Sequence, residues 1–210
     1  CDFNIGLRKS SIADSHARYL LKSAADTPYA VIYFSSGAWN DACTAQQAWF
    51  PSDWARVCLR LKDAGITPVI LGSDWDKDYL RTVRAKLVSM NQNPDSVWVD
   101  LVGETTLPVA IAVMQSASVT VGICAGLPMI AAYEGWPTIM IWPRAGVLRR
   151  PIQMNFSPEF QTNWIPPRVL DSGSYSHLSF GEFDEETLAD LALHKARIHK
   201  QVAKVTSVVR

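Results

Sequence analysis

The stretch VTVGICAGLPMIAAYEGWPTIMIW, residues 119–142, decides the fold. Val119-Thr120-Val121 is apolar and β-branched, which suits a strand covered on both faces. Gly122-Ile123-Cys124-Ala125-Gly126 is a turn of small residues, and the segment from Leu127 to Glu134 reads as a short helix closed by Gly135. Thr138-Ile139-Met140-Ile141-Trp142 is then a second buried run of strand length. Strand, turn, helix and strand in so short a span is the unit that builds a parallel sheet through a right-handed crossover.

The same alternation continues outward. Toward the amino terminus, residues 97–101 read as a strand; after Gly103, Thr105 or Thr106 caps a helix with Pro108 in its first turn, where a missing N–H does no harm. Residues 68–71 form another strand, followed by a loop carrying Asp74, Asp76 and Asp78 and by a helix with Tyr79, Leu80, Val83 and Leu87 on its buried stripe. Before it, Pro51-Ser52-Asp53 opens a helix with Ser52 as its cap, Trp54, Val57, Cys58 and Leu61 as its apolar face and Gly65 as its end. Tyr29-Ala30-Val31-Ile32-Tyr33-Phe34 is the first strand, preceded by a helix over residues 12–23 that Thr27-Pro28 stops. Toward the carboxyl terminus, residues 143–180 are rich in Pro, Ser, Asn and Arg without a clear period and read as an irregular excursion. A last helix begins near Phe183-Asp184, acidic in its first turn and basic toward Lys200.

The expected architecture is α/β: a doubly wound, Rossmann-like parallel sheet of five to six strands with helices on both faces, its first five strands ordered 3-2-1-4-5. Residues 29–143 carry that sheet, and residues 1–28 form a leading helix and linker. Residues 144–210 hold the excursion and final helix, packed on the same domain or on a half outside this chain.

Composition narrows the function. Of 210 residues, 48% are hydrophobic, and 20 Lys and Arg balance 20 Asp and Glu, which excludes a disordered or collagen-like chain and gives no basic excess for gripping nucleic acid. No apolar run approaches the roughly 18 residues of a transmembrane helix. Cys1, Cys43, Cys58 and Cys124 show no CxxC spacing, which points to a reducing compartment and a cytoplasmic protein. The chain begins at Cys1 with neither a basic segment nor an apolar signal core behind it. It reads as a piece of a longer protein, a lipid-modified cysteine being the other option.

In a sheet of this order, ligands bind beyond the carboxyl ends of the strands where the order reverses, between the first and fourth strands. The loops leaving those strands begin Ser35-Ser36-Gly37 and Gly122-Ile123-Cys124-Ala125-Gly126. Both allow close approach to backbone, and the second feeds a helix whose first N–H groups, on Ala125, Gly126 and Leu127, point at an anion. Pro128 supplies none. The plain alternative is that these glycines only make tight turns.

Three further stretches carry a resemblance. Trp49-Phe50-Pro51-Ser52-Asp53-Trp54, then Gly65 and Pro68-Val69-Ile70-Leu71-Gly72, resembles the carboxyl-terminal half of the ADP-heptose:lipopolysaccharide heptosyltransferases. So does Val99-Asp100-Leu101-Val102-Gly103-Glu104-Thr105-Thr106-Leu107, followed in order by Ser118 to Gly122, Cys124 to Gly126 and Pro137-Thr138-Ile139-Met140-Ile141-Trp142-Pro143. The likeness covers about residues 29–143. It implies a glycosyltransferase of the two-Rossmann (GT-B) type, in which this half binds a nucleotide-sugar donor, no further cofactor is needed, and an amino-terminal acceptor-binding half supplies the catalytic base. The implied donor contacts are Ser35, Ser36, Gly37, Thr106, Leu107, Cys124, Ala125, Gly126, Leu127 and Arg144. Two Rossmann halves need roughly 300 residues or more, so only the donor half is expected here. The chain departs from the family pattern of Asp-Ser/Thr-Gly and a following His: Cys124-Ala125-Gly126 and Met129 stand at those places, and the first loop lacks the usual Lys.

Other readings remain open. Gly122-Ile123-Cys124-Ala125-Gly126 also matches G-x-C-x-G, resembling the nucleophile elbow of class I glutamine amidotransferases. A helix N-terminus favours a thiolate, and His177, on an expected loop, is the candidate base. A domain that kept the fold and lost the chemistry is the third possibility. Asp74, Asp76 and Asp78 read as a solvated loop rather than a metal site. Trp39, Trp49 and Trp54 read as packing residues before base-stacking ones. His16, His194 and His199 are not placed to share a metal.

Overall fold

The computed structural model describes residues 7, 10–34, 49–142, 173–179 and 181–208, with side chains up to residue 198. Helix α1 (Ser11–Leu21) starts where Ser10 Oγ accepts the N–H of Ala13 and buries Ala13, Ala17 and Leu21. It passes into a short 3₁₀ helix, Lys22–Asp26, and the chain turns at Thr27 into β1 (Tyr29–Tyr33). The helix is thus shorter than residues 12–23, because Lys22 adopts a positive φ of 53° that no α-helix can continue through.

Helix α2 (Pro51–Asp63) buries Trp54, Val57, Cys58 and Leu61 completely, as the sequence predicts. Its cap differs. Pro51 takes the first helical position, so the capping place falls to Phe50, and Asp53 reaches back to accept the Phe50 N–H at 2.8 Å. Gly65, at φ 79°, ends the helix in the left-handed region open to glycine. Strand β2 (Thr67–Leu71) follows, then a 3₁₀ turn (Asp74–Asp76) and α3 (Lys77–Ser89). A one-turn α4 (Pro94–Val97) leads into β3 (Val99–Asp100), which is shorter than the residues 97–101 expected. β3 is the sheet edge, and Asp100 closes it: Oδ1 accepts the Val102 N–H at 3.1 Å and Oδ2 receives Arg84 at 3.4 Å. Charge placed on an edge in this way stops further strands from pairing there.

Helix α5 (Leu107–Gln115), strand β4 (Val119–Ile123), helix α6 (Gly126–Tyr133) and strand β5 (Thr138–Trp142) realise the crossover unit read from residues 119–142. Strand β6 (Tyr175–Ser179) and helix α7 (Glu185–Val208) complete the fold. β6 lies inside the stretch read as irregular; it is a half-exposed edge strand whose two apolar residues, Tyr175 and Leu178, are three apart and fall on opposite faces, so no apolar alternation shows.

All strand pairs are parallel, in the order β3-β2-β1-β4-β5-β6. The fold is therefore Rossmann-like α/β with the order reversing between β1 and β4. Two cores flank the sheet. On one face Ile32, Ile70, Val121, Ile139 and Ile141 meet α2, α3 and α7; on the other Val31, Val69 and Leu71 meet α1, α5 and α6. Phe34, Trp49, Trp54, Tyr79 and Trp98 stack edge-on at the top of the first core, with Trp49 and Trp54 centroids 4.9 Å apart. Helix α7 is tied to β6 by the buried Lys195, whose Nζ donates to the carbonyls of Gly173 at 2.8 Å and Ser174 at 3.0 Å. On its other side Arg56 meets Glu185 at 2.9 Å and Arg60 meets Asp190 at 3.1 Å.

Candidate functional site

The carboxyl edge of the sheet is built around one close approach. Gly122 of β4 lies beside Tyr33 of β1, and a Cβ on Gly122 would come within 2.8 Å of Pro128 Cγ and 2.9 Å of Tyr33 Cβ. Only a glycine lets the first turn of α6 settle this near the strand ends. Beyond it, the Cys124 N–H donates to Ile141 O at 2.9 Å, which fixes the turn against β5. Ala125 caps α6 with its carbonyl, accepting the Met129 N–H at 3.0 Å. The N–H groups of Gly126 and Leu127 thus have no acceptor within the helix, and Pro128 has no N–H. A Cβ on Gly126 would meet nothing within 4 Å among the described residues. The turn therefore places the positively polarised start of α6 at the switch point.

The residues expected at the site divide three ways. Cys124, Ala125, Gly126 and Leu127 sit together at this turn. Thr106 and Leu107 open α5, which the chain enters from the β3 side with β2 and β1 between. Thr106 makes no side-chain cap bond, and Leu107 is 57% exposed. Ser35, Ser36, Gly37 and Arg144 lie outside the described residues, as do Trp39 and Cys43.

The cysteine-nucleophile geometry is not formed. His177 stands in the middle of β6, paired with Met140, rather than on a loop. Strand β5 separates it from the strand that carries Cys124, so two strand spacings, about 10 Å, intervene. The neighbour of Cys124 is instead the Tyr175 phenol, which accepts a hydrogen bond from Trp142 Nε1 at 2.8 Å. Trp49 and Trp54 are 6% and 0% exposed and pack in the core, which leaves neither free to stack on a ligand.

The acidic loop is not uniformly solvated. Asp74 pairs with Lys77 at 2.7 Å and Asp78 with Arg81 at 2.8 Å, both at the surface. Asp76 is buried: its Oδ2 accepts the Ser73 N–H and Oγ–H, each at 2.9 Å, and the carboxylate packs on Gly72. Its Oδ1 has no hydrogen-bond partner among the described residues, and its charge acts on the Tyr33 phenol. Burial and the Asp76 charge push the Tyr33 phenol up to about 12. The sequence signal for this arrangement is the Ser73-x-x-Asp76 spacing of a capping box, at the end of a strand adjoining the switch point. Among the described residues no cluster of His, Cys, Asp and Glu could hold a metal ion, and no helix is long and apolar enough to cross a membrane.

The family model of glycosyltransferase family 9 (heptosyltransferase) matches residues 2–147. The chain belongs to this family. No curated protein matches it. Among solved structures, the family 9 chain is similar to the ADP-heptose lps heptosyltransferase II of E. coli, at 15% identity and a TM-score of 0.66, over 92% of this chain and 54% of that one. It is also similar to the family 9 glycosyl transferase of Veillonella parvula, at 15% identity and a TM-score of 0.63, over 90% of this chain and 53% of that one. At such identity these likenesses establish the fold, and the chain spans about half the length of each.

Proposed function

We propose that this chain is the donor-binding half of a glycosyltransferase that moves a sugar from a nucleoside diphosphate sugar to a hydroxyl acceptor. The observation that carries the reading is the β4–α6 turn: Gly126 and Leu127 open α6 at the switch point, where a Cβ on Gly126 would meet nothing within 4 Å among the described residues, in a family 9 chain. The donor diphosphate binds there. Ser35, Ser36, Gly37, Thr106, Leu107 and Arg144 are the further donor contacts that the resemblance implies.

The chemistry follows from where charge develops. The acceptor oxygen forms a bond to the anomeric carbon as the bond from that carbon to the diphosphate oxygen breaks. The leaving diphosphate takes the electron pair, and the acceptor proton passes to a base on the half outside this chain. Backbone N–H groups aimed at the departing phosphate stabilise that charge without reorganising. The absence of a family-type Asp and His at Cys124 and Met129 leaves the backbone to do more of this work. The cysteines, without CxxC spacing or a dense disulfide pattern, support a cytoplasmic location for the reaction.

Calorimetric titration with ADP, GDP and UDP tests the reading. One of them should bind with a dissociation constant between micromolar and millimolar, a range of about 4 to 8 kcal/mol. Silence from all three would sink the proposal and leave a family 9 fold without donor binding.

A further inference from the structure

The outer edge of the sheet, beside β3, holds a cavity of about 540 Å³, a size that suits a small molecule. One wall is α1, through Tyr19, Leu20 and Lys22, and the other is α3, through Lys77, Leu80 and Arg81. Strands β2 and β1 stand between β3 and β4, three strand spacings or about 14 Å, which sets this cavity apart from the β4–α6 turn. Its charges are unevenly engaged. Arg84 holds both Asp95 and Asp100. Lys77 and Arg81 pair with Asp74 and Asp78, whose side chains are 79% and 84% exposed and do not line the cavity. Exposed pairs of this kind contribute little, so both cations can turn to a ligand. Lys22 enters no ion pair among the described residues. Glu104 is the one lining carboxylate outside the Arg84 pairs.

The backbone is strained at the same place. Lys22 ends α1 at φ 53° and ψ −129°, a conformation that glycine takes freely and a residue with a Cβ does not. Strain kept at the residue that brings an unpaired ammonium to a cavity points to use rather than to packing. Tyr19, 77% exposed, lines the same cavity with the apolar side chains of Leu20 and Leu80. Three available cations against one carboxylate, next to an aromatic ring, favour a ligand with an anionic head and a flat apolar body.

We propose that this cavity binds a small aromatic phosphate ester: Lys22, Lys77 and Arg81 meet the phosphate, and Tyr19, Leu20 and Leu80 meet the ring. The site goes beyond the donor reading and does not depend on it.

Calorimetric titration of the whole chain with phenyl phosphate tests the assignment, with inorganic phosphate and phenol as its two halves. Phenyl phosphate should bind with a Kd of about 0.1–1 mM and about 10-fold or more tighter than either half. Arg81→Gln should weaken it by about 10-fold, the worth of one charge-assisted hydrogen bond. Lys86→Gln removes the same charge from an exposed position of α3 outside the cavity and should leave the affinity within about twofold. Lys22→Gly should also weaken binding by about 10-fold, yet raise Tm by about 2–6 °C, because glycine relieves the strain. Loss of affinity with a gain of stability is a pairing that a merely structural Lys22 does not give. No binding of phenyl phosphate, binding no tighter than that of inorganic phosphate, or equal losses from Lys86→Gln and Arg81→Gln overturns the inference. So does an affinity that survives Lys22→Gly and Arg81→Gln together, which would put the phosphate elsewhere.

Discussion

Gly122 and Gly126 stand four residues apart in one turn, yet alanine should affect them in opposite ways. At Gly122 the added Cβ would lie 2.8 Å from Pro128 Cγ, 2.9 Å from Tyr33 Cβ and 3.2 Å from the Tyr33 carbonyl oxygen. Two of these atoms belong to a proline ring and a backbone carbonyl, which cannot swing aside as the tip of a long side chain does. Helix α6 must lift from the strand ends. Overpacking of this kind costs about 1–3 kcal/mol, which for a chain of this size is a fall in Tm of about 2–12 °C. At Gly126 a Cβ meets nothing within 4 Å, and φ is not positive there. Alanine should leave stability unchanged or raise it by up to about 1 kcal/mol through the smaller entropy of the unfolded chain. Ligand binding separates the two further. Gly122→Ala weakens nucleoside diphosphate binding by displacing the donors, and Gly126→Ala weakens it by filling the space in front of them. A lost hydrogen bond to a charged group corresponds to about 10- to 100-fold in affinity. Thermal unfolding followed by circular dichroism, with calorimetric titration of the same samples, reads both quantities. A Gly122→Ala protein as stable as wild type would refute the packing argument. A Gly126→Ala protein with undiminished affinity would refute the placement of the phosphate.

Other outcomes follow from single contacts. Trp54→Ala empties a fully buried site beside Phe34 and Trp49 and should cost about 3–5 kcal/mol in urea unfolding; a loss under 1 kcal/mol would mean that the aromatic cluster collapses freely. Cys124→Ser should leave diphosphate binding within about twofold, because the turn acts through its backbone; a large loss would return the thiol to the site. Burial lowers the Lys195 ammonium to about 8, so the unfolded chain holds this proton to higher pH than the folded one. Its contribution to stability should therefore grow from about pH 8 toward 10.5, with a slope up to about 1.4 kcal/mol per pH unit. Lys195→Met should flatten that rise. The Tyr33 phenol works the other way above pH 10, where the unfolded chain releases its proton first, so the wild-type curve should turn down again.

The order of elements was legible because each buried strand is a short unbroken apolar run and each helix carries its own stripe. Tyr29 to Tyr33, Val119 to Ile123 and Thr138 to Trp142 could be nothing else at that length. β6 escaped because an edge strand is only partly buried, and its two apolar residues, Tyr175 and Leu178, fall on opposite faces among Ser176, His177 and Ser179. Ser52 is not the cap because Pro51 brings the helix start two residues earlier and leaves the capping hydrogen bond to Asp53. At the crevice, the glycine turn could be read from spacing, whereas the action of the Asp76 charge on Tyr33 depends on two strand ends meeting in space. Nothing local distinguishes Asp76 from the exposed Asp74 and Asp78 except the serine three residues before it.

The family likeness ends at residue 147, but the folding unit does not. Leu188 and Ala192 of α7 are wholly buried in the core that also contains Ile139 and Ile141, and β6 covers the outer margin of β5. A protein trimmed where the likeness stops would keep the whole β4–α6 turn and still bare a greasy flank to water. Strand β6 and helix α7 are thus a wall of the domain rather than an appendage, and any recombinant or chimeric version has to carry them to stay soluble.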